Sequence, residues 1–114
     1  MKRWKVAAAT AAATLFASAA SADECTLTSG PPTIPDGATA TEAELTAVMA
    51  QIKAYQADLE TYRACLNAII DDSENYDVDA RQAALDKFNE SVTAEETMAA
   101  EWSATVKAYK AQSN

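Results

Sequence analysis

All five residues that most readily break a helix, Gly30, Pro31, Pro32, Pro35 and Gly37, fall within eight consecutive positions. From Ala38 to Asn114 there is neither glycine nor proline. That segment is mostly Ala, Glu, Leu, Lys, Gln and Met, the residues with the strongest intrinsic helix propensity. The chain is therefore confined to long helices preceded by an extended strand-like tail. The three prolines lack backbone donors and favour a polyproline-like path. Asp36-Gly37 marks a turn.

The first helix is expected over about 41–72. Thr41 with Glu44 forms a capping box, and Thr39 with Glu42 offers the same box two residues earlier. Its apolar seam runs Leu45, Val48, Ile52, Tyr55, Leu59, Tyr62, Leu66, Ile69, with alternating spacings of three and four. The run DDSENYDVD at 71–79 ends it. Asp71 and Asp72 oppose the negative end of a helix, whereas Asp77 and Asp79 suit the positive start of the next. Asn75 is the candidate for a left-handed turn position.

The second helix is expected over about 77–111, with a seam of Val78, Leu85, Phe88, Val92, Ala99, Trp102, Val106 and Tyr109, and polar seam positions at Arg81 and Glu95. A capping box at Thr93 and Glu96 offers a rival break and three helices; continuity of the seam favours two. An antiparallel hairpin then sets Leu66 against Leu85, Leu59 against Val92, Ile52 against Ala99, and Val48 or Met49 against Trp102. Glu95 falls opposite Tyr55 and Gln56. The expected class is all-α: a two-helix, coiled-coil-like antiparallel hairpin spanning 41–114.

Residues 1–22 have the layout of a secretory signal peptide: basic MKRWK, apolar VAAATAAATLFA, then small SAASA. Cleavage is expected after Ala22, where Ala20-Ser21-Ala22 fits A-x-A. The apolar run is shorter than the about 20 residues a membrane anchor needs, and Glu24 stands where a lipoprotein needs a small residue before Cys25. No membrane insertion is expected after cleavage. The address is periplasmic, with secretion as the alternative. Removing Lys2, Arg3 and Lys5 from nine basic residues leaves six against seventeen acidic ones, a net charge of −11. That balance opposes binding to nucleic acid and to anionic lipid.

The chain's two cysteines, Cys25 and Cys65, are expected to pair in an oxidising compartment. The tail at 23–40 is long enough. Thr41 to Cys65 is about 36 Å of helix, and Cys25 to Thr41 reaches about 50 Å when extended. The tail can double back along the first helix, lay Leu27 and Ile34 in the groove between the helices, and close the bond. A disulfide-linked dimer and a free exchanging thiol are the alternatives.

Chemistry is sparse. There is no histidine, no G-x-S-x-G and no phosphate-binding glycine loop. No catalytic residue, cofactor or metal is expected, and the chain is read as a non-enzyme. Asp71, Ser73, Asn75, Asp77 and Asp79 place oxygens at alternate positions, as an EF-hand does. Tyr76 and Gln82 replace its glycine and bidentate glutamate, so a capping turn is preferred. Pro32-Thr-Ile-Pro35 fits P-x-x-P and is read as serving tail docking. The seam aromatics are read as core. Trp102 and Tyr109, near the open end of the hairpin, are the candidate partner surface.

With the segments PPTIPDGATATEAEL, VMAQIKAYQADLETYRACL and VKAYKA, the chain resembles small exported, periplasmic proteins of proteobacteria of unknown function. The likeness covers the whole mature chain. Its most specific parts are the run from Pro35 to Ala40 and the Tyr-x-x-Cys-Leu at Tyr62 to Leu66. It implies an envelope address and brings no activity, cofactor or site residue. In size and cysteine count the chain is also similar to disulfide-stapled periplasmic acid-stress chaperones. The leading expectation is a non-enzymatic helical interaction or structural module that binds a protein partner or self-associates into a four-helix bundle. The second is a chaperone that exposes its apolar seam when its carboxylates protonate.

Overall fold

A computed structural model of the protein describes residues 24–112. The expected signal segment, 1–22, and its cleavage point lie outside the described residues. Two helices, α1 (Glu42–Ile70) and α2 (Val78–Gln112), pack against each other, and the described residues contain no strand.

Helix α1 starts where the capping box at Thr41 and Glu44 places it. Thr41 N donates to Glu44 Oε1 at 2.8 Å, and Glu44 N donates to Thr41 Oγ1 at 3.1 Å. The N-cap and third-residue amides are thus satisfied reciprocally by each other's side chains. The rival box at Thr39 is unused, because Thr39 N closes the Asp36 turn instead, bonding Asp36 O at 3.1 Å. Helix α1 ends at Asp71, whose amide donates to Asn67 O at 3.0 Å. In the turn, Asn75 donates through both its backbone and side-chain amides to the Asp72 carboxylate. Those bonds, the side-chain one foremost, hold the Asp72 carboxyl below the usual carboxylate range. Asp77 then caps α2 by accepting from Ala80 N at 2.8 Å. Helix α2 runs unbroken through Thr93 and Glu96.

Cys25 and Cys65 form a disulfide, with Cα atoms 5.7 Å apart. From Cys25 the tail runs antiparallel to α1, parallel to α2, and fills one of the two grooves of the hairpin. Two apolar clusters result. Cys25, Leu66, Ile69 and Ala84 form one near the turn, flanked by Tyr62, Tyr76 and Phe88. Val48, Ile52, Tyr55, Leu59 and Met98 form the other, with Leu27 and Ile34 of the tail and Trp102 of α2 packed on it. The tail is a third core element, as the reach of the chain suggested.

The docked tail solves its own hydrogen-bonding problem. Its prolines carry no donor to leave stranded. Its carbonyls are met from α2: Thr105 Oγ1 donates to Pro35 O at 2.7 Å, and Gln112 Nε2 donates to Gly37 O at 2.6 Å and Ala40 O at 3.0 Å. Ser29 Oγ also donates to Asp58 Oδ2 of α1.

Gly37 is buried because its backbone lies directly on α2. A Cβ there would stand 1.9 Å from Thr105 O and 3.0 Å from Ala108 Cβ. Gly37→Ala should therefore lift the tail from α2 and lower stability by about 1 to 3 kcal/mol. Gly30, with nothing within 4 Å of its Cβ position, serves as the neutral control. Urea unfolding of both variants checks this; equal midpoints for the two would contradict the close approach.

The face that α2 buries differs from the expected one. Ala84, Ser91, Met98 and Thr105 are its buried residues, each one position before Leu85, Val92, Ala99 and Val106 of the expected seam. Leu85 is 38% exposed and Val78 69% exposed. Leu66 thus shares its cluster with Ala84 rather than Leu85, and Ile52 with Met98 rather than Ala99. The physical reason is the tail. A two-body seam centres on the line facing α1, but three rods meet at a junction. Small Ala84 and Ser91 allow α2 to approach that junction closely, and the turn of α2 leaves its bulkier stripe on the flank.

Candidate functional site

The tail covers one groove of the hairpin. The opposite groove carries the features a site would use. Its centre is polar. Arg63 of α1 reaches across to α2, donating from Nη1 to Glu95 Oε1 at 2.8 Å, from Nε to Ser91 Oγ at 2.8 Å and from Nη2 to Ser91 O at 2.8 Å. The pair is a salt bridge with both side chains largely covered. The guanidinium carbon also sits 5.9 Å from the centroid of the Phe88 ring, within cation–π range. Gln56 Nε2 donates to Glu95 Oε2 at 3.4 Å, the partnership expected for that polar seam position. The planar fork of Arg63 ties three acceptors at once, which a lysine could not do.

Beside this clamp, toward the open end, lies a hollow of about 460 Å³. Leu45, Met49 and Ala50 of α1 and Trp102 of α2 form its apolar wall, and Glu42 and Lys53 stand at its edge. Trp102 is half-buried, with its body on the Val48–Met98 cluster and its remainder toward the hollow. It lies near both Val48 and Met49, the two neighbours expected of it. Tyr109 is half-buried two turns further along α2 and does not line the hollow. Of the two candidate surface residues, the structure places one at this site.

On the outer flank of the same groove, Val78, Leu85, Val92, Ala99 and Val106 repeat every seven residues along α2. Val78, Leu85 and Ala99 are exposed, while Val92 and Val106 are half-buried. The apolar hollow and this stripe together make an open, elongated surface interrupted by the Arg63–Glu95 clamp.

The acidic turn offers no comparable site. Asp72 is engaged by Asn75, and Asp77 is engaged by the start of α2. Among the described residues no group of three acidic, cysteine or histidine side chains is placed to hold a metal ion. No helix among the described residues is long and apolar enough to cross a membrane. Arg63 was not legible as a bridge from sequence, because its seam neighbours are apolar and the only cue is a lone cation facing the polar position Glu95.

No protein-family model, curated protein or solved structure matches this chain.

Proposed function

We propose that the chain is an exported, non-enzymatic helical interaction module that works through the groove its tail leaves open. One observation carries this reading. Among the described residues the one extended segment fills one groove, yet Leu45, Met49 and Trp102 are left lining a hollow in the other. A hairpin built only for its own stability has no use for a tryptophan at the edge of water; tryptophan is enriched where protein surfaces bury one another. The disulfide and the resemblance to exported proteins support an envelope address.

The test is a photo-crosslinking residue at position 49 of the full chain, expressed in the cell envelope. The expected result is a protein adduct that Trp102→Ala abolishes. Adduct formation no greater than at Glu60, on the exposed side of α1, contradicts the reading.

A second reading, the acid-activated chaperone, has its own support in carboxylates that hold the fold together. The Glu95 carboxylate joins the helices through Arg63. The Asp72 carboxyl is held below its usual range, so its stabilisation of the turn is present above that range and is lost as pH falls through the folded value. This reading requires client aggregation to be suppressed at about pH 3, with a gain in dye-binding apolar surface. A protein that stays compact and inert there excludes it.

A further inference from the structure

We propose that the Cys25–Cys65 bond is a reducible latch: a dithiol reductant opens it and frees residues 24–34 from their groove, while both helices stay folded. This goes beyond the reading of the open groove and does not depend on it, because it concerns the groove that the tail covers.

The tail is fixed at its two ends and lightly held between them. At one end Cys25 is buried beside Leu66, Ile69 and Ala84 and bonded to Cys65. At the other, the Pro35, Gly37 and Ala40 carbonyls accept from Thr105 and Gln112 of α2, and Gly37 lies directly on the Thr105 carbonyl. Between those ends none of residues 26–34 is buried. Their amides and carbonyls make no backbone–backbone hydrogen bond among the described residues. The polar tie is the Ser29 hydroxyl on Asp58, and the apolar anchors are the half-buried Leu27 and Ile34. Open space borders the segment. A hollow of about 260 Å³ is lined by Ser29, Gly30 and Pro32 of the tail with Gln51 and Ala54 of α1. Another, of about 190 Å³, is lined by Leu27 with Lys87 and Glu90 of α2. Few buried contacts and no ladder bonds mark a segment of low local stability. Once Cys25 is loose, the backbone freedom regained outweighs what remains.

Accessibility selects the sulfur that is attacked. Cys65 is half-buried on α1 between the exposed Ala64 and the core residue Leu66, whereas Cys25 is only 6% exposed. A thiolate of the reductant therefore attacks Cys65 Sγ in line with the S–S bond. That bond breaks, its electron pair stays on Cys25 Sγ, and the Cys25 thiolate takes a proton from water. The reductant's second thiol then attacks the mixed disulfide, releases Cys65 as a thiolate and leaves the reductant as a disulfide. Two electrons pass from the dithiol to the cysteine pair, and no other co-reactant enters. The departing tail uncovers the groove face of both apolar clusters. Leu66 and Ile69 lose the cover of Cys25, and the Tyr55–Leu59 cluster loses that of Leu27 and Ile34. Residues 35–40 stay on α2 and serve as the hinge.

The test uses the full mature chain, oxidised, with dithiothreitol as the dithiol. In native buffer the bond should be reduced at a rate that sub-denaturing urea leaves unchanged; a rate that tracks global unfolding overturns the latch. After reduction, backbone order parameters over residues 26–34 should fall below about 0.6, while those of α1 and α2 stay near about 0.85. The contact between Gly37 and Ala108 should persist. The double variant Cys25→Ser, Cys65→Ser should show the same mobile segment with no reductant present. A segment that stays ordered in both samples means that its other contacts hold it, and overturns the latch. Helices that lose order together with the tail overturn it too, because the bond is then a staple of the whole fold. Reduced glutathione, a monothiol, followed by rapid alkylation and peptide mapping, should trap the mixed disulfide on Cys65. An adduct found on Cys25 instead overturns the assigned point of attack.

Discussion

Replacing Cys25 and Cys65 together by serine should lower the unfolding free energy by about 4 kcal/mol. The bond joins residues 40 apart in sequence. Closing a loop of that length removes about 4 kcal/mol of chain entropy from the unfolded state. Small domains are stable by about 5 to 15 kcal/mol in all, so the loss is a large share. The bond also sits inside a core cluster, with Cys25 buried among Leu66, Ile69 and Ala84. Without it the tail is held by Leu27, Ile34, the Ser29–Asp58 hydrogen bond and the carbonyl bonds to Thr105 and Gln112. Urea unfolding of the double variant, and of the native chain with reductant, should show the same lowered midpoint. A shift below about 1 kcal/mol would mean that the tail is fixed by its other contacts and the bond is incidental.

Leu59→Ala should cost about 2 to 5 kcal/mol. Leu59 is fully buried, in the cluster where α1, α2 and the tail converge. Removing its branch forfeits the transfer energy of the lost carbons and leaves a cavity that three packed elements cannot easily close. Leu45, half-buried at the rim of the hollow, provides the contrast. Leu45→Ala removes a side chain that water already reaches, so its loss should be a small part of that at Leu59. Equal losses at the two positions would place the core elsewhere.

The parts of this fold that local chemistry decides were legible in the sequence. The capping box at Thr41, the stop in the acidic turn and the unbroken run of helix formers through Thr93 depend on near neighbours, and they read correctly. So did the doubling back of the tail with Leu27 and Ile34 inward, because chain length and two cysteines leave few other arrangements. The rotation of α2 was not legible. Periodicity marks an apolar stripe without saying whether it faces inward, and here Ala84 and Ser91, poor markers of a core, won the buried line from Leu85 and Val92. The winning term was close approach at a three-way junction. Gly37 was readable as a turn residue, but its contact with Thr105 depends on where a segment distant in sequence comes to lie. Of the open groove, Trp102 was visible as an aromatic near the end of the hairpin. The hollow beside it and the Arg63 clamp depend on the register between the helices.

In this fold the tail is a third packed element rather than a flexible leader tethered by sulfur. Nuclear Overhauser contacts in the oxidised protein measure this directly. Gly37 α-protons should show cross-peaks to the Ala108 methyl, since a Cβ in place of one of those protons would stand 3.0 Å from Ala108 Cβ. Absence of those cross-peaks, with random-coil shifts from residue 26 to residue 40, would contradict it.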